Sequence, residues 1–243
     1  MIGRVLDLRR RARLALWAAK VRLRLRRLGM QADIAIASGV RFESLPILEV
    51  DAFSPEGGGG SLGILVGRDA RLGRDLTIDV RLGGDNSLTI GEGTVVQSWC
   101  RLQLHGGEID IGRASHLRDL VQLKTKSLLT VGDGVVLSRD VIVHATAGVT
   151  IGDGCGIGER TSIIDSDHEL EGEGEAFLQA PVRSEPIVLG RGVAVSANCV
   201  ILRGARMGDG AALAAGAVLN GDEVPAGHLA GGVPATVLKD LRG

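Results

Sequence analysis

Five histidines, His105, His116, His144, His168 and His228, are the side chains of this 243-residue chain best suited to moving a proton. An alcohol is a poor nucleophile at neutral pH, and imidazole is the group whose ordinary pKa lets it accept a hydroxyl proton there. Two of the five stand out by their surroundings. His168 closes the phrase Ile163-Ile164-Asp165-Ser166-Asp167-His168, directly before a stretch rich in acidic residues, Glu169 to Glu185. Asp165 or Asp167 is close enough in sequence to hold the His168 ring in one tautomer, as carboxylates do in other histidine-based sites. His144 opens His144-Ala145-Thr146-Ala147-Gly148. His105 and His116 stand in no motif and read as corner residues. Cys100, Cys155 and Cys199 are odd in number and lack paired spacing, so they read as reduced thiols rather than as disulfide or zinc partners.

The elements that must position these residues are written in a repeat. Leu88-Thr89-Ile90-Gly91, Ile109-Asp110-Ile111-Gly112, Leu129-Thr130-Val131-Gly132, Val149-Thr150-Ile151-Gly152, Ile187-Val188-Leu189-Gly190 and Ala205-Arg206-Met207-Gly208 share one form, with intervals of 21, 20 and 20 residues before a jump to 189. A period of this size marks a solenoid. Inside each unit aliphatics recur every six residues, as in Ile151, Ile157, Ile163 and in Leu189, Val195, Ile201, Met207, Leu213, Leu219. A helix would space them by three and four, and a lone amphipathic strand by two, so the pattern predicts short strands joined by corners, three to a coil. The glycine after each aliphatic is expected to give the corner its unusual dihedrals. Residues 169–186 interrupt the repeat and predict a loop thrown out of the solenoid.

Composition agrees with a narrow prism: 44% hydrophobic but only 2% aromatic, with 37 glycines and no tyrosine. The net charge of −1 hides an asymmetry, because Met1 to Gly29 carries ten basic residues against Asp7 alone, a net +9 that leaves −10 for the rest. Within it Leu14, Trp17, Ala18, Val21, Leu25 and Leu28 fall on one helical face, and Gly29 is a natural stop. This basic amphipathic helix has two readings, contact with an anionic membrane through residues 1–29 or packing on a neighbouring subunit. Nucleic acid is not expected as a partner, since the basic residues are confined to one segment without aromatic stacking platforms. No long uncharged apolar run and no signal-peptide cleavage site are present, so a cytoplasmic location is expected, with the helix as the only route to the inner membrane face.

The repeat resembles the hexapeptide repeat of left-handed β-helix acyltransferases, over roughly Ile64 to Lys239. The fold this implies is an all-β solenoid, a left-handed parallel β-helix over 64–225, preceded by the basic helix at 1–33 and an irregular lead-in at 34–63, and followed by a short tail at 226–243. The interruption resembles that of galactoside, maltose and xenobiotic acetyltransferases, in which a histidine ends a coil, a loop extrudes, and a Pro-Ile phrase follows, here Pro186-Ile187-Val188-Leu189-Gly190. By that resemblance His168 is the general base that deprotonates an acceptor hydroxyl as it attacks acetyl-CoA, or another acyl-CoA, without a metal. The phrase at His144 is similar to the catalytic His-Ala-Thr-Gly of serine acetyltransferases, which makes His144 a rival base or a second residue of the cleft.

The resemblance also implies a donor path. Val193 to Ala197 is similar to the family's Val-Trp-Ile-Gly-Ser, with Ala194 and Ser196 in place of tryptophan and glycine. Leu213 to Val218 is similar to Ile-Gly-Ala-Gly-Ser-Val, and Gly231 to Lys239 to the family's closing phrase. Carried across, Ala197, Ala215 and Asn220 line the pantetheine and nucleotide, and Lys239 with Arg242 meets phosphate; Gly221 replaces a lysine common in relatives. The implied activity is O-acetylation of a sugar or glycan precursor by a homotrimer with its site between subunits. An amino-sugar N-acetyltransferase and a catalytically silent scaffold are the alternatives. A hydratase similar to γ-class carbonic anhydrases lacks the closely spaced histidine pair it would need.

Overall fold

The computed structural model describes residues 2–51, 59–169 and 180–243, with backbone alone for 2–8. Helix α1 (Ile2–Arg27) is followed by a three-faced parallel β-solenoid of about eight coils. The first face runs through nine strands from Gln31–Ile36 to Glu223–Val224. The second has ten, from Arg41–Phe42 to Ala235–Asp240, and the third has eight, from Ile47–Asp51 to Val218–Asn220. Each strand pairs in parallel with the one a coil away, so identical positions stack. Ile90, Ile111, Val131, Ile151 and Leu189 form one inward column, and Leu102, Leu123, Val143, Ile163, Ile201 and Leu219 form another. These are the aliphatics of the six-residue phase, and all of them are buried.

The glycine that follows each aliphatic has a different reason from the one expected. Gly91, Gly152 and Gly208 are absent from the positive-φ positions. A Cβ on any of them would lie 2.5–2.7 Å from backbone of the next coil, so glycine is required there by close approach. The left-handed corner falls two residues later, at Gly93, Gly134, Gly154, Gly192 and Gly210, with φ of 64° to 70°. Only this second position uses the conformational freedom of glycine.

The solenoid also begins earlier than the repeat suggested. Residues 34–63 were expected to be irregular, yet Gln31–Ile36, Arg41–Phe42 and Ile47–Asp51 form a complete first coil in register with the second, Ile34 opposite Ile64 and Leu48 opposite Ile78. The six-residue phase is present in Ile36, Phe42 and Leu48, in register with Val66, Leu72 and Ile78 of the second coil. It is masked because the step from Ile36 to Val66 is 30 residues, stretched by a segment that includes the glycine run, whose Gly57 and Gly58 lie outside the described residues. At the other end the tail is ordered: Ala235–Asp240 folds back antiparallel on His228–Gly232 and extends the second face.

Helix α1 lies across the open N-terminal end of its own solenoid, which corrects the expectation of packing on a neighbouring subunit. Leu14, Trp17, Ala18, Val21 and Leu25 are buried against the first coil, while Leu28 is exposed beyond the contact. The helix stops in a Schellman turn, with Met30 N–H donating to the Leu25 carbonyl and Gly29 N–H to that of Arg26, Gly29 having a φ of 80°. The first coil has no coil below it, so carbonyls on its edge need other donors. Trp17 Nε1 donates to Pro46 O at 2.8 Å, Arg22 to Ile34 O at 2.7 Å and Arg24 to Leu48 O at 3.0 Å. Part of the basic character of the helix is therefore structural. No helix among the described residues is long and apolar enough to cross a membrane.

Because Leu25 is fully buried between helix and coil, Leu25→Ala should lower stability by about 2–5 kcal/mol, the cost of a core leucine truncation. Urea unfolding of the two proteins measures it, and a change within error would show that the helix cap contributes nothing to the fold.

Candidate functional site

The loop that breaks the repeat leaves the solenoid at the corner between the third and first faces. Its stem is a small antiparallel ladder, Ser166–His168 against Val182–Ser184; the tip at 170–179, with Glu171, Glu173 and Glu175, lies outside the described residues. His168 sits at the end of the stem, partly buried, with Nδ1 2.9 Å from the carbonyl oxygen of Ala180. A carbonyl can only accept, so Nδ1 carries a proton, and in the neutral ring the lone pair is then on Nε2.

Neither aspartate supplies that orientation, contrary to the expectation from sequence. Asp165 is fully buried, and its carboxylate accepts from the amides of Thr146 at 2.8 Å, Ala147 at 2.7 Å and Gly148 at 2.8 Å. It braces the corner that follows His144 on the coil below. Asp167 accepts from Arg203 Nε at 2.8 Å, and Arg203 also reaches Glu185 at 2.9 Å. Arg203 thus ties both strands of the stem to the next coil. Sequence reading passed over it because the 38-residue jump conceals that Arg203 lies one coil above the stem.

His144 lies on the strand Ile142–Ala145 of the third face, in register with Lys124 below and Ile164 above. It is half-buried. Burial lowers its pKa from the ordinary value, the Lys124 ammonium lowers it further, and the Asp165 carboxylate partly opposes both. The neutral imidazole is therefore favoured, and His144 retains proton-accepting capacity. The coils of the two histidines touch at their corners, where the hydroxyls of Thr146 and Ser166 are 3.1 Å apart. The 20-residue spacing of Lys124 and His144 is one coil, a signal that could have been read in the sequence.

Below this pair the third face holds a polar network that the motifs did not reveal. Asp79 is buried; Arg101 donates to it at 3.0 Å and Gln103 at 3.3 Å, and His105 Nε2 is 4.0 Å away. Arg101 also reaches Glu49 at 2.6 Å. The upper half of the same face is different: Ile142, Ile164, Val200, Leu202 and Val218 are only partly buried and alternate with the core positions, forming an aliphatic outer strip beside His144.

The residues assigned to the donor separate into three places. Ala197 and Ala215 stack at the corner between the second and third faces, where Gly216 N–H donates to Ala197 O at 3.0 Å. Asn220 stands in the outward column of His144, above Ile164 and Leu202. Lys239 is on the returning C-terminal strand opposite Leu229. Arg242 is exposed, and its guanidinium grips Asp240 at 2.9 and 2.8 Å, so its charge is already compensated. Small residues thus stand at one edge of the third face, with the aliphatic strip between the edges.

His105, first, and then the Arg101 and Gln103 donors hold the Asp79 carboxyl at about 2, against the burial that raises it. Its stabilising contribution is complete above the ordinary value near pH 4 and is lost as pH falls through about 2. Urea unfolding at a series of pH values should show about 2 kcal/mol of this loss in the native protein, from a shift of nearly two units. Asp79→Asn should flatten that limb, and an unchanged limb would refute the network.

No family model matches the chain. A probable acetyltransferase of Mycobacterium tuberculosis is 28% identical over 134 residues, covering 55% of this chain and 44% of that protein. The match thus spans under half the relative's length. Among solved structures, an N-acyltransferase from Bacillus cereus, AntD, in complex with dTDP and coenzyme A superposes with a TM-score of 0.53 at 17% identity, covering 62% of this chain and 82% of that one. The polySia-specific acetyltransferase NeuO gives 0.51 at 19% identity over 88% and 81%. These structural likenesses establish the fold. The chain is a hexapeptide-repeat parallel β-solenoid, similar in sequence to acetyltransferases.

Proposed function

We propose that the chain transfers an acetyl group from acetyl-CoA to a hydroxyl of a sugar or glycan precursor, with His168 as the base. The observation that carries this reading is the His168 ring held through Nδ1 by a backbone carbonyl, at the mouth of the loop that interrupts the solenoid. His168 Nε2 takes the hydroxyl proton as the acceptor oxygen bonds to the thioester carbonyl carbon. When the carbon–sulfur bond breaks, the same imidazolium returns the proton to the departing thiolate. Ala197, Ala215 and Asn220 border the donor, Lys239 faces its phosphates, and His144 lines the acceptor side of the cleft.

A second reading places the base at His144. The lowered pKa of that half-buried ring favours it, and the same donor geometry then serves an amino-sugar nitrogen equally well. We further propose a homotrimer, in which the aliphatic strip of the third face meets a neighbouring copy and the site lies between them. Light scattering at micromolar protein should give three chains, and a stable monomer would remove the shared site. Contact of α1 with an anionic membrane is retained as electrostatic attraction only, because the apolar face of the helix is spent on the first coil.

His168→Ala should reduce turnover by about 100-fold to 10,000-fold, the usual contribution of a positioned proton acceptor, with coenzyme A affinity nearly unchanged by calorimetry. His144→Ala should reduce turnover less. Near-native turnover in His168→Ala beside an inactive His144→Ala would move the base to His144. A native protein that fails to bind coenzyme A would end both readings and leave a silent scaffold.

A further inference from the structure

The wall of the solenoid nearest α1 carries a charge arrangement that acyl transfer does not use. Arg41 and Arg71 stand directly opposite each other on adjacent parallel strands of the second face. Like charges in that position repel, and nothing in the core requires them there, since the inward residues of the same strands are Phe42 and Leu72. Helix α1 brings Arg10 over the same place, and the three guanidinium groups line a cleft of about 530 Å3. The packing that places Arg10 is independent of any ligand: Leu14 and Trp17 are buried in the first coil, and Arg13 lies 5.2 Å over the ring of Phe42.

Among the described residues none of the three arginines makes an ion pair. The cleft wall does contain two carboxylates, and each has a partner of its own. Glu43 is 3.7 Å from Arg74, and Asp119 accepts from the Ser98 amide at 3.0 Å. Gln97 and Ser98 add neutral polar groups to the far side of the cleft. Three exposed arginines without an ion pair line one concave surface with Gln97 and outnumber its two carboxylates, Glu43 and Asp119, a set that suits the recognition of phosphate oxygens.

We propose that this cleft binds a phosphate or diphosphate group, held by Arg41 and Arg71 from the solenoid and by Arg10 from the helix. It occupies the second face beside α1, whereas His168 of the same chain stands at the corner of the third and first. The bound group either belongs to a soluble phosphoester or is the headgroup of an anionic phospholipid beside the basic helix. In either case it bridges α1 and the first two coils and should stabilise their contact.

Pyrophosphate titrated by calorimetry at fixed ionic strength, and cosedimentation with phosphatidylglycerol vesicles against phosphatidylcholine vesicles, test the site and its source together. The native chain should bind at least one anionic probe saturably. Arg41→Gln with Arg71→Gln should weaken that binding by about 100-fold, roughly tenfold for each charged donor removed, and Arg10→Gln by about tenfold. Arg206→Gln, an exposed change on the first face, should leave it unchanged. All of these positions are exposed, and melting curves will show whether the variants are folded. Pyrophosphate binding without vesicle binding assigns a soluble phosphoester, and vesicle binding lost in the double variant assigns a lipid headgroup. No saturable binding of either probe, or native affinity in a folded double variant, overturns the proposal.

Discussion

Each coil of this protein must lie directly on the one before it, backbone against backbone, at the spacing of a β-ladder. That single constraint sets most of the sequence. It requires glycine at Gly91, Gly152 and Gly208, where a Cβ would strike the next coil. It stacks like residues in columns, so that an aliphatic on one coil is packed by the aliphatics above and below it. It also brings polar corner side chains to the carbonyls of the following coil: Thr94 Oγ1 donates to Gly112 O at 2.7 Å, Ser115 Oγ to Gly132 O at 2.8 Å and the Cys155 thiol to Gly190 O at 3.0 Å. The cysteines are free and buried, and burial pushes the Cys100 thiol up to about 12. They act as small buried corner residues whose thiols face carbonyls of the following coil, and burial disfavours a thiolate there.

A stack has ends, and the ends explain features that the repeat does not. The lower edge of the first coil exposes carbonyls that no strand pairs, and α1 covers them with Trp17, Arg22 and Arg24. A strongly basic segment thus acquires a structural use, with several donors directed at backbone oxygen rather than at a partner. The upper end is closed by the C-terminal strand turning back on the second face. Between the ends the outer surface is unequal: the third face is polar and networked around Asp79, then aliphatic beside His144 and above it. His144 stands at the junction of those halves, with the polar network below it and the aliphatic strip beside and above it.

The stem that carries His168 is held by interactions between coils. Asp165 is spent on the amides of the coil below, Asp167 and Glu185 on Arg203 of the coil above, and the imidazole on a carbonyl within its own loop. The division has a physical logic. A buried carboxylate needs hydrogen-bond donors for its oxygens, and three successive amides at a corner supply them, whereas an imidazole needs only one acceptor to fix which nitrogen donates. The candidate base is thereby oriented without a neighbouring negative charge from either aspartate.

The sequence by itself determined the coil. Six-residue phasing marks the inward positions from Ile64 onward, the interruption after His168 marks where the chain leaves the stack, and helical spacing marks the apolar face of α1 without saying what covers it, because each is a periodic or local property of adjacent residues. Only the tertiary structure decided what lies against what. The first coil was hidden by the 30-residue step to the second, which contains the glycine run, and the partners of Asp165, Asp167 and Arg203 by a 38-residue step. The place of Lys124 under His144 needed the coil length to be applied to outward residues as well as inward ones. The pairing of Arg41 with Arg71 rests on a 30-residue step that nothing in the later 20-residue period predicts. The physical reason is common to all of these: burial repeats with the local pattern, whereas contacts between outward side chains depend on the number of residues in each particular coil, and loops can change that number without disturbing the core.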